Sequence, residues 1–347
     1  MHKDTIILGI ESSCDETAAS VMKNGYILSN IIADQKIHHN YGGVIPEAAS
    51  RAHQKNIIPV VDQALKIANI SKDQISAVAF TSGPGLLGSL LVGSSFAKSF
   101  ASGLKIPIIE VNHMHAHILA HFIKTYENDR SNNYPSFPFL CLTVSGGHTQ
   151  IVLVKNYFNI TVIGETTDDA AGEAFDKIAK TLGLSYPGGP LIDKYAQNGN
   201  PLRFQFTYPN VSEYNYSFSG LKTAVLYLIR DELKKNNNFI NENLNDICAS
   251  VQNTIINILM KKLKKASNEL NINEIAIAGG VSANSELRKV LLNFKGENKC
   301  NVFIPDFTYC TDNAAMIANI GYLKYKINEY APQNVVAKAK VSFVNLN

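Results

Sequence analysis

Four histidines fall within nine consecutive positions, at 113, 115, 117 and 121. On a helix, the imidazoles of His113 and His117 lie on the same face and can bind one cation together. His117 and His121 have the same spacing, so this second pair remains an alternative. Either pair needs a third ligand from another segment. The spacing therefore predicts a metal site, with a histidine-rich surface helix as the other interpretation.

A metallopeptidase is the first enzyme class that paired histidines suggest. Its zinc-binding helix places a glutamate directly after the first histidine, where the carboxylate acts as general base. In this chain Met114, Ile118 and Phe122 follow the histidines of the two pairs. The sequence therefore disfavours peptide hydrolysis by that mechanism, and a metal-dependent glycopeptidase is kept as an alternative enzyme class.

Glycine-rich segments at three turns predict places where backbone amides can approach an anion closely. Residues 144–149 lie between two predicted strands, residues 186–190 form a turn, and residues 278–284 end a strand and begin a helix. Each segment taken alone is most often an ordinary turn. Together they favour a cleft that binds a nucleotide.

A fourth glycine segment, residues 82–89, fits the pattern of dinucleotide-binding turns. Pro84 removes a backbone amide that a pyrophosphate could use, so a tight strand-to-helix turn is the preferred interpretation. No segment has the glycines followed by Lys-Ser or Lys-Thr that P-loop kinases need. Nicotinamide, flavin and P-loop chemistry are therefore disfavoured.

Acidic side chains complete the set of candidates. They are Glu11, Asp15 and Glu16 in the first polar loop, Asp168, Asp169, Glu173 and Asp176 around a predicted helix, and Asp312 before the last helix. Asp312 is expected to be the N-cap of that last helix. A capping role is compatible with binding a metal.

The elements that must position these residues repeat in the two halves of the chain. Residues 6–10, 18–22 and 27–33 predict a three-stranded meander, and residues 139–144, 149–154 and 160–163 predict a second one. Helices and strands alternate after each meander. We therefore expect an α/β fold with duplicated lobes, residues 1–135 and 136–347, each with a mixed sheet flanked by helices. This is the two-lobed architecture of actin, sugar kinases and heat-shock ATPases.

The alternating segments are predicted from the apolar periodicity of the sequence. They are helices at 47–67, 89–102, 113–124, 170–182, 221–234, 244–270 and 283–293 and strands at 75–81, 107–111, 274–278 and 301–304. A closing helix begins at Asp312. The Asn-rich tracts 236–238 and 241–245 predict a polar connection.

The composition excludes several other classes. The chain has 347 residues, 46% of them hydrophobic, which is enough for two domains. Its net charge of +3 tolerates an anionic partner without the concentrated charge of a dedicated nucleic-acid binder. Five cysteines without close pairing argue against a disulfide framework. Without a signal peptide or a stretch of ~20 apolar residues, a cytoplasmic protein with no membrane partner is expected.

Over nearly its whole length the chain resembles one family, the tRNA N6-adenosine threonylcarbamoyltransferases of the bacterial or organellar type, formerly described as O-sialoglycoprotein endopeptidases. The matching segments are residues 9–17, 42–47, 50–53, 83–93, 113–117, 144–150, 168–180, 187–190, 217–222, 279–284 and 311–314. They follow one another in order along the chain. This resemblance is far more specific than any single glycine turn.

The resemblance implies a fold, a metal site and a substrate pocket. The fold is the actin-like ATPase fold, and the metal ligands are His113, His117 and Asp312. The metal is one divalent ion per chain, iron, with zinc as the alternative for this ligand set. The substrate pocket that the resemblance implies consists of Thr143, Val144, Ser145, Gly146, Gly147, Asp176, Gly189, Asp193 and Asn284.

The implied reaction transfers the threonylcarbamoyl group from threonylcarbamoyl-AMP to the N6 amine of the adenosine 3′-adjacent to the anticodon, in tRNAs that read ANN codons. AMP is released. The metal polarises the carbamoyl carbonyl, and the glycine loops hold the phosphate of the adenine nucleotide in the cleft. Candidates for accepting the amine proton are Glu11, Asp15 and His53.

The resemblance also implies partners besides tRNA. These are a shorter paralogous subunit of the same fold and a small P-loop ATPase subunit. Two other functions remain as alternatives. A non-catalytic module like that paralogue would lack the histidine pair, and a sugar or acetate kinase of the same fold has no role for it.

Overall fold

The structure, a computed structural model, describes residues 4–33, 43–125, 133–298 and 300–341. Gly42, which begins one of the motifs named above, lies outside the described residues. The chain divides into two compact units. Unit 1 comprises Met1–Tyr134 and Pro305–Ser342, and unit 2 comprises Pro135–Ile304 and Phe343–Asn347.

Unit 1 contains a mixed five-stranded sheet with the strand order β3-β2-β1-β4-β5. Its strands are β1 (Ile6–Glu11), β2 (Thr17–Lys23), β3 (Tyr26–Ala33), β4 (Ala77–Gly83) and β5 (Ile108–Asn112). The first three pair antiparallel, whereas β4 joins β1 and β5 joins β4 in parallel. The carboxyl ends of β1, β4 and β5 therefore meet at one edge, where open α/β sheets bind ligands.

Three helices follow strands of this sheet. They are α1 (Pro46–Ala68), α2 (Leu87–Leu104) and α3 (His113–Leu119). Apolar residues of α1 and α2 pack with Ile6, Leu8 and Ile10 of β1 in one core. The predicted helix 113–124 is too long, because the side chain of Asn319 donates to the Leu119 carbonyl at 3.0 Å and the chain continues as a 3-10 turn.

Unit 2 repeats the sheet of unit 1. Its strands are β6 (Phe139–Val144), β7 (Thr149–Asn156), β8 (Asn159–Glu165), β9 (Glu274–Ala278) and β10 (Asn301–Phe303). They have the order β10-β9-β6-β7-β8. The meander is again antiparallel, and β9 and β10 again extend the sheet in parallel. The predicted duplication is confirmed.

The helices of unit 2 are α4 (Ala171–Thr181), α5 (Gly188–Ala196), α6 (Ser219–Leu233), α7 (Phe239–Leu270) and α8 (Ser285–Asn298). Helix α5 was expected only as a glycine turn. The polar connection predicted at 241–245 is wrong, because this tract lies within α7. Phe239 and Ile247 on either side of it are buried in the core of unit 2, and this burial outweighs the low helix propensity of asparagine.

The last helix, α9 (Ala314–Lys326), follows the expected second lobe in sequence but packs with unit 1. Gly9 of β1 permits this packing, since a Cβ there would lie 2.6 Å from the Ala314 carbonyl oxygen. The N-cap of α9 is Asn313, whose Oδ1 accepts from the Met316 amide at 3.0 Å. The prediction that Asp312 is the cap is therefore wrong, and its carboxylate is left for another role. None of the described helices has the length and apolarity needed to cross a membrane.

Candidate functional site

The start of α3 fixes the direction of its histidines. Oδ1 of Asn112, the last residue of β5, accepts from the amides of Met114 and His115 at 2.9 and 3.1 Å. This N-cap begins the helix at His113. The rings of His113 and His117 then lie edge to face, with 4.6 Å between their centroids. The carboxyl end of β5 therefore presents both imidazoles on the same face.

Asp312 completes a group of three possible metal ligands in unit 1. Its Oδ1 lies 3.0 Å from His117 Nε2 and 3.4 Å from His113 Nε2. Neighbouring ligands of one ion, each at about 2.1 Å from it, are roughly 3.0–3.4 Å apart. All three ligand atoms lie within 4.8 Å of one another. His121 lies in the 3-10 turn after α3 and does not belong to this group.

Glu11 contacts His113 at the ring nitrogen that does not face Asp312. Its Oε2 is 3.1 Å from His113 Nδ1 and accepts from the Thr81 hydroxyl at 2.6 Å, while Oε1 accepts from the Ser13 amide at 2.5 Å. The side chain of Glu11 is completely buried. A carboxylate that accepts from Nδ1–H orients the ring so that Nε2 points towards Asp312, which is how metal-binding histidines are commonly supported.

The charges of this group fit a bound cation. Burial alone would raise the pKa of Asp312, but His113 and the hydrogen bonds from His113 and His117 hold it well below its usual range. Burial opposes protonation of His113, yet Asp312 and Glu11 raise its pKa well above the ordinary value. Burial and the charge of Asp312 also raise the pKa of Glu16. This excess of carboxylates favours a positive charge, and two imidazoles with one carboxylate are good ligands for iron or zinc.

The three candidate proton acceptors differ in exposure. Glu11 and His53 are both 0% exposed. His53 Nε2 lies 3.0 Å from the Cys14 carbonyl oxygen, which can only accept, so Nε2 carries the hydrogen and Nδ1 accepts from the Thr17 hydroxyl at 2.8 Å. His53 therefore anchors the loop that follows β1. Of the three candidates, Asp15 keeps exposed surface.

The glycine loop after β6 has a defined shape in unit 2. The Ser145 amide donates to the His148 carbonyl at 2.8 Å, and the Ser145 hydroxyl accepts from the His148 amide at 3.1 Å. Gly146 and Gly147 are exposed, and a Cβ on either would meet nothing within 4 Å. Thr143 and Val144 are completely buried, so their side chains are not available to a ligand.

Two further glycine segments approach this loop. The Gly172 amide, at the start of α4, donates to the Ser145 carbonyl at 3.2 Å. A Cβ on Gly279, which has a φ of +86°, would lie 2.5 Å from the Val144 carbonyl oxygen. The first and third glycine turns predicted from the sequence are therefore next to each other in unit 2.

The remaining polar residues of the predicted pocket hold helix N-termini. Asp176 Oδ1 accepts from the amides of Gly188 and Gly189 at 2.8 and 3.2 Å, where α5 begins. Asp193 accepts from the amide and hydroxyl of Ser285 at 3.0 and 2.7 Å, and Asn284 Oδ1 accepts from the Leu287 amide at 2.9 Å, where α8 begins. These contacts fix the loops, and a role in binding substrate stays a prediction.

Comparison with known proteins identifies the family of this chain. A family model described as tRNA N6-adenosine threonylcarbamoyltransferase matches residues 26–319. The chain belongs to the tRNA N6-adenosine threonylcarbamoyltransferase family.

Relatives in this family match the chain from end to end. A protein of Phocaeicola vulgatus is 59% identical over 339 residues, which cover 98% of this chain and 99% of the relative. A protein of Riemerella anatipestifer is 60% identical over 338 residues, which cover 97% of this chain and 98% of the relative. Both are named tRNA N6-adenosine threonylcarbamoyltransferase.

A solved structure supports the fold assigned to this chain. The crystal structure of full-length HypF, in its phosphate- and nucleotide-bound form, matches with a TM-score of 0.63 at 15% identity. The match covers 95% of this chain but 48% of the HypF chain, so this chain spans about half of HypF. Together with the two mixed five-stranded sheets, it confirms the predicted actin-like ATPase fold.

Two residues that contact the candidate metal ligands of this threonylcarbamoyltransferase-family chain were missed from the sequence. Thr81 donates to Glu11, and the Ser13 hydroxyl lies 3.2 Å from His113 Nδ1 and 3.4 Å from Asp312 Oδ2. A signal was present, since both are small polar residues at or just after the carboxyl ends of predicted strands.

Proposed function

We propose that this chain transfers the threonylcarbamoyl group from threonylcarbamoyl-AMP to the N6 amine of the adenosine 3′-adjacent to the anticodon, in tRNAs that read ANN codons. Family membership makes it a tRNA N6-adenosine threonylcarbamoyltransferase, which is an acyltransferase. It gives no support to the metal-dependent glycopeptidase. The observation that carries the proposal is the convergence of His113, His117 and Asp312 on one point in a chain of this family.

The metal held by this group is iron in our proposal. Two histidines and one carboxylate leave coordination positions free for substrate, an arrangement typical of iron(II) enzymes. When bound, the ion supplies a Lewis acid for the carbamoyl carbonyl. The chain contributes the orientation, because Glu11 holds His113 through Nδ1, and the Ser13 hydroxyl donates to Asp312 at 3.4 Å.

The adenine nucleotide is bound by loops of unit 2 in our proposal. The exposed backbone of Gly146 and Gly147 offers amides to the phosphate, as glycine loops do in other nucleotide-binding proteins, while Ser145 holds the shape of the loop. Asp176, Gly189, Asp193 and Asn284 belong to the same pocket, and their contacts within unit 2 keep the starts of α5 and α8 in place. Thr143 and Val144 contribute through their backbone, because their side chains are buried.

Asp15 is the proton acceptor that this proposal favours. Glu11 accepts three hydrogen bonds inside the protein, and both ring nitrogens of His53 are occupied. A general base must come within about 3 Å of the amine that it deprotonates. The partial exposure of Asp15 supports this role.

Its partners, in our proposal, are tRNA, a shorter paralogous subunit of the same fold and a small P-loop ATPase subunit. We propose that it acts in the cytoplasm. The name of the relatives supports tRNA as the partner, and the resemblance to the family implies the two subunits.

The test is a transfer assay with purified chain, partner subunits, threonylcarbamoyl-AMP and unmodified tRNA transcript. Wild type should form N6-threonylcarbamoyladenosine and AMP in equal amounts. A transcript with guanosine at the target position should remain unmodified. Cleavage of a glycoprotein without tRNA, in place of nucleoside formation, would contradict the proposal and revive the peptidase.

A further inference from the structure

The end of the described chain, residues 335–341, crosses the turn between β4 and α2, and we call it the C-terminal strap. The Lys338 amide donates to the Ser82 carbonyl at 2.8 Å, and the Gly85 amide donates to the Ala339 carbonyl at 3.1 Å. The Lys98 ammonium donates to the Val335 carbonyl. The strap is therefore held by contacts to its backbone.

The backbone of Gly83 packs directly against the strap. A Cβ at this position would overlap the Lys338 carbonyl oxygen, and the φ of Gly83 is +145°, which other residues rarely adopt. Gly85 in turn lies against Ser13, whose carbonyl oxygen would be 2.5 Å from a Cβ there. The glycines that resemble a dinucleotide-binding turn are thus explained by close packing of the strap and the Ser13 loop.

This packing brings the strap to the metal-binding edge of the unit 1 sheet. Ser82 and Gly83 end β4, and the Leu86 amide donates to the Ser13 carbonyl at 2.7 Å. The Ser13 hydroxyl lies 3.2 Å from His113 Nδ1. Strap, turn, Ser13 and His113 therefore form one continuous set of contacts within unit 1.

The side chains of Lys338 and Lys340 are exposed on this strap, whereas Ala337 between Val336 and Lys338 is buried. Neither lysine forms an ion pair with any of the described residues. Other cations of unit 1 do, as Lys23 pairs with Asp4 and Lys324 with Glu329, each at less than 3 Å. Two uncompensated positive charges therefore lie on a segment that contacts the turn next to Ser13.

The positive charges of Lys338 and Lys340 can offset the repulsion between tRNA phosphates and the acidic residues near the metal-binding edge. The carboxylates of Asp15 and Asp312, both partly exposed, lie at the metal-binding edge and repel a polyanion. The tRNA must nevertheless bring its target adenosine to this edge, with its phosphates close by. Lysines that bind phosphates supply most of the non-specific affinity for nucleic acids.

We propose that the C-terminal strap is a tRNA-binding element, in which Lys338 and Lys340 bind phosphates next to the target adenosine. The inference rests on the proposed function, because it takes tRNA as the acceptor. It names the surface of unit 1 that receives the tRNA.

Two lysines at the opposite edge of the same sheet offer a matched control. Lys72 lies in the 3-10 turn before β4, and Lys105 follows α2 directly before β5. Both are exposed and, like the strap lysines, form no ion pair with another described residue. They differ from Lys338 and Lys340 in position and not in charge.

The experiment compares the full chain as wild type, as the double variant Lys338→Ala/Lys340→Ala, and as Lys72→Ala/Lys105→Ala. Affinity for unmodified tRNA is measured by fluorescence anisotropy at several salt concentrations. The strap variant should bind about five- to tenfold more weakly, and its slope of log K against log salt should fall by about 1.5–2. The control should stay within about twofold of wild type. Thermal unfolding should be alike in all three, because the strap is docked through its backbone.

Transfer kinetics separate this role from a role in binding the nucleotide. The strap variant should show a raised KM for tRNA, with an unchanged KM for threonylcarbamoyl-AMP and an unchanged kcat at saturating tRNA. Three results would overturn the inference, provided that wild type still forms the modified nucleoside. They are equal tRNA affinity in the strap variant and wild type, an equal loss of affinity in the control, and a raised KM for threonylcarbamoyl-AMP alone. Wild type that neither binds nor modifies tRNA would instead overturn the proposed function.

Discussion

Glu11 Oε2 lies 3.1 Å from Nδ1 of His113 in the interior of unit 1, where Glu11 has no exposed surface. The hydrogen bond holds a proton on Nδ1 and orients the ring so that Nε2 points towards Asp312. Because Glu11 is the last residue of β1 and His113 directly follows β5, the sheet itself sets the geometry. The end of β1 thus orients a candidate metal ligand through the ring nitrogen that faces away from Asp312.

Glu11→Gln should weaken metal binding without removing a ligand. The Ser13 amide, the Thr81 hydroxyl and His113 Nδ1–H all need acceptors, and glutamine offers one oxygen where glutamate offers two. Loss of such a supporting carboxylate typically costs 10- to 100-fold in metal affinity, roughly the loss expected here. Isothermal titration calorimetry of the metal-free chain with zinc measures this loss of affinity.

Glu47→Gln is the matched control, because Glu47 is exposed on α1 and pairs with Arg51. Its metal affinity should equal that of wild type. If Glu11→Gln also bound metal as wild type does, Glu11 would not orient His113.

Gly93→Ala and Gly103→Ala should act in opposite directions, although both lie in α2. A Cβ on Gly93 would overlap the Ser12 hydroxyl and lie 3.1 Å from Ser12 Cβ, so alanine must displace the loop that carries Ser13. We expect a loss of about 1–3 kcal/mol in the free energy of unfolding. Around Gly103 nothing lies within 4 Å, so alanine should stabilise the helix by up to about 1 kcal/mol. Urea unfolding decides between these signs, and equal effects would show that α2 and the loop are not in close contact.

Asp176→Asn should change how stability depends on pH. Burial raises the pKa of Asp176, although the Gly188 and Gly189 amides lower it. Because the pKa in the folded state lies above the unfolded value of 3.8, the ionised Asp176 lowers the free energy of unfolding at neutral pH. This cost disappears as the pH falls through the raised pKa. Asparagine keeps an acceptor without the charge. The variant should therefore be at least as stable as wild type at pH 7, and its advantage should shrink towards pH 4.

Asp168→Asn supplies the opposite case in the same unit. Burial tends to raise the pKa of Asp168, but hydrogen bonds from Ser217, Phe218 and Ser219 lower it overall. Its contribution is present above the unfolded pKa and is lost only as pH falls through the lowered folded pKa. Urea unfolding between pH 5 and 8 should show a constant deficit for this variant. An advantage of Asp176→Asn that grew on acidification would contradict the assignment for Asp176.

The sheets and most helices could be predicted because their signals are local. Each meander follows from apolar runs and turns, and the spacing of His113 and His117 follows from helical periodicity alone. The length of α3 could not be predicted, because a side chain of α9 determines where it ends. The helical Asn-rich tract of α7 was missed for the same reason, since burial of Phe239 and Ile247 is a tertiary effect.

Within the candidate metal site, the three residues that come together were easier to predict than the residues that hold them in place. Asp312 was expected as a helix cap, yet Asn313 fills that position and releases the carboxylate. The roles of Glu11 and His53 depend on which neighbours bury them, which spacing does not reveal. The same holds for Gly83 and Gly85, whose partners lie in the strap and in the Ser13 loop.

The central claim is that Asp312 and the two histidines hold the metal on which transfer depends. The most direct measurement is the rate of N6-threonylcarbamoyladenosine formation at saturating iron, for wild type, Asp312→Ala and Asp306→Ala. Asp306 is a control from the same segment, because it is exposed and caps only the 3-10 turn Phe307–Tyr309. We predict a loss of about 100-fold or more for Asp312→Ala and a rate near that of wild type for Asp306→Ala. An Asp312→Ala variant that kept the wild-type rate would contradict the account.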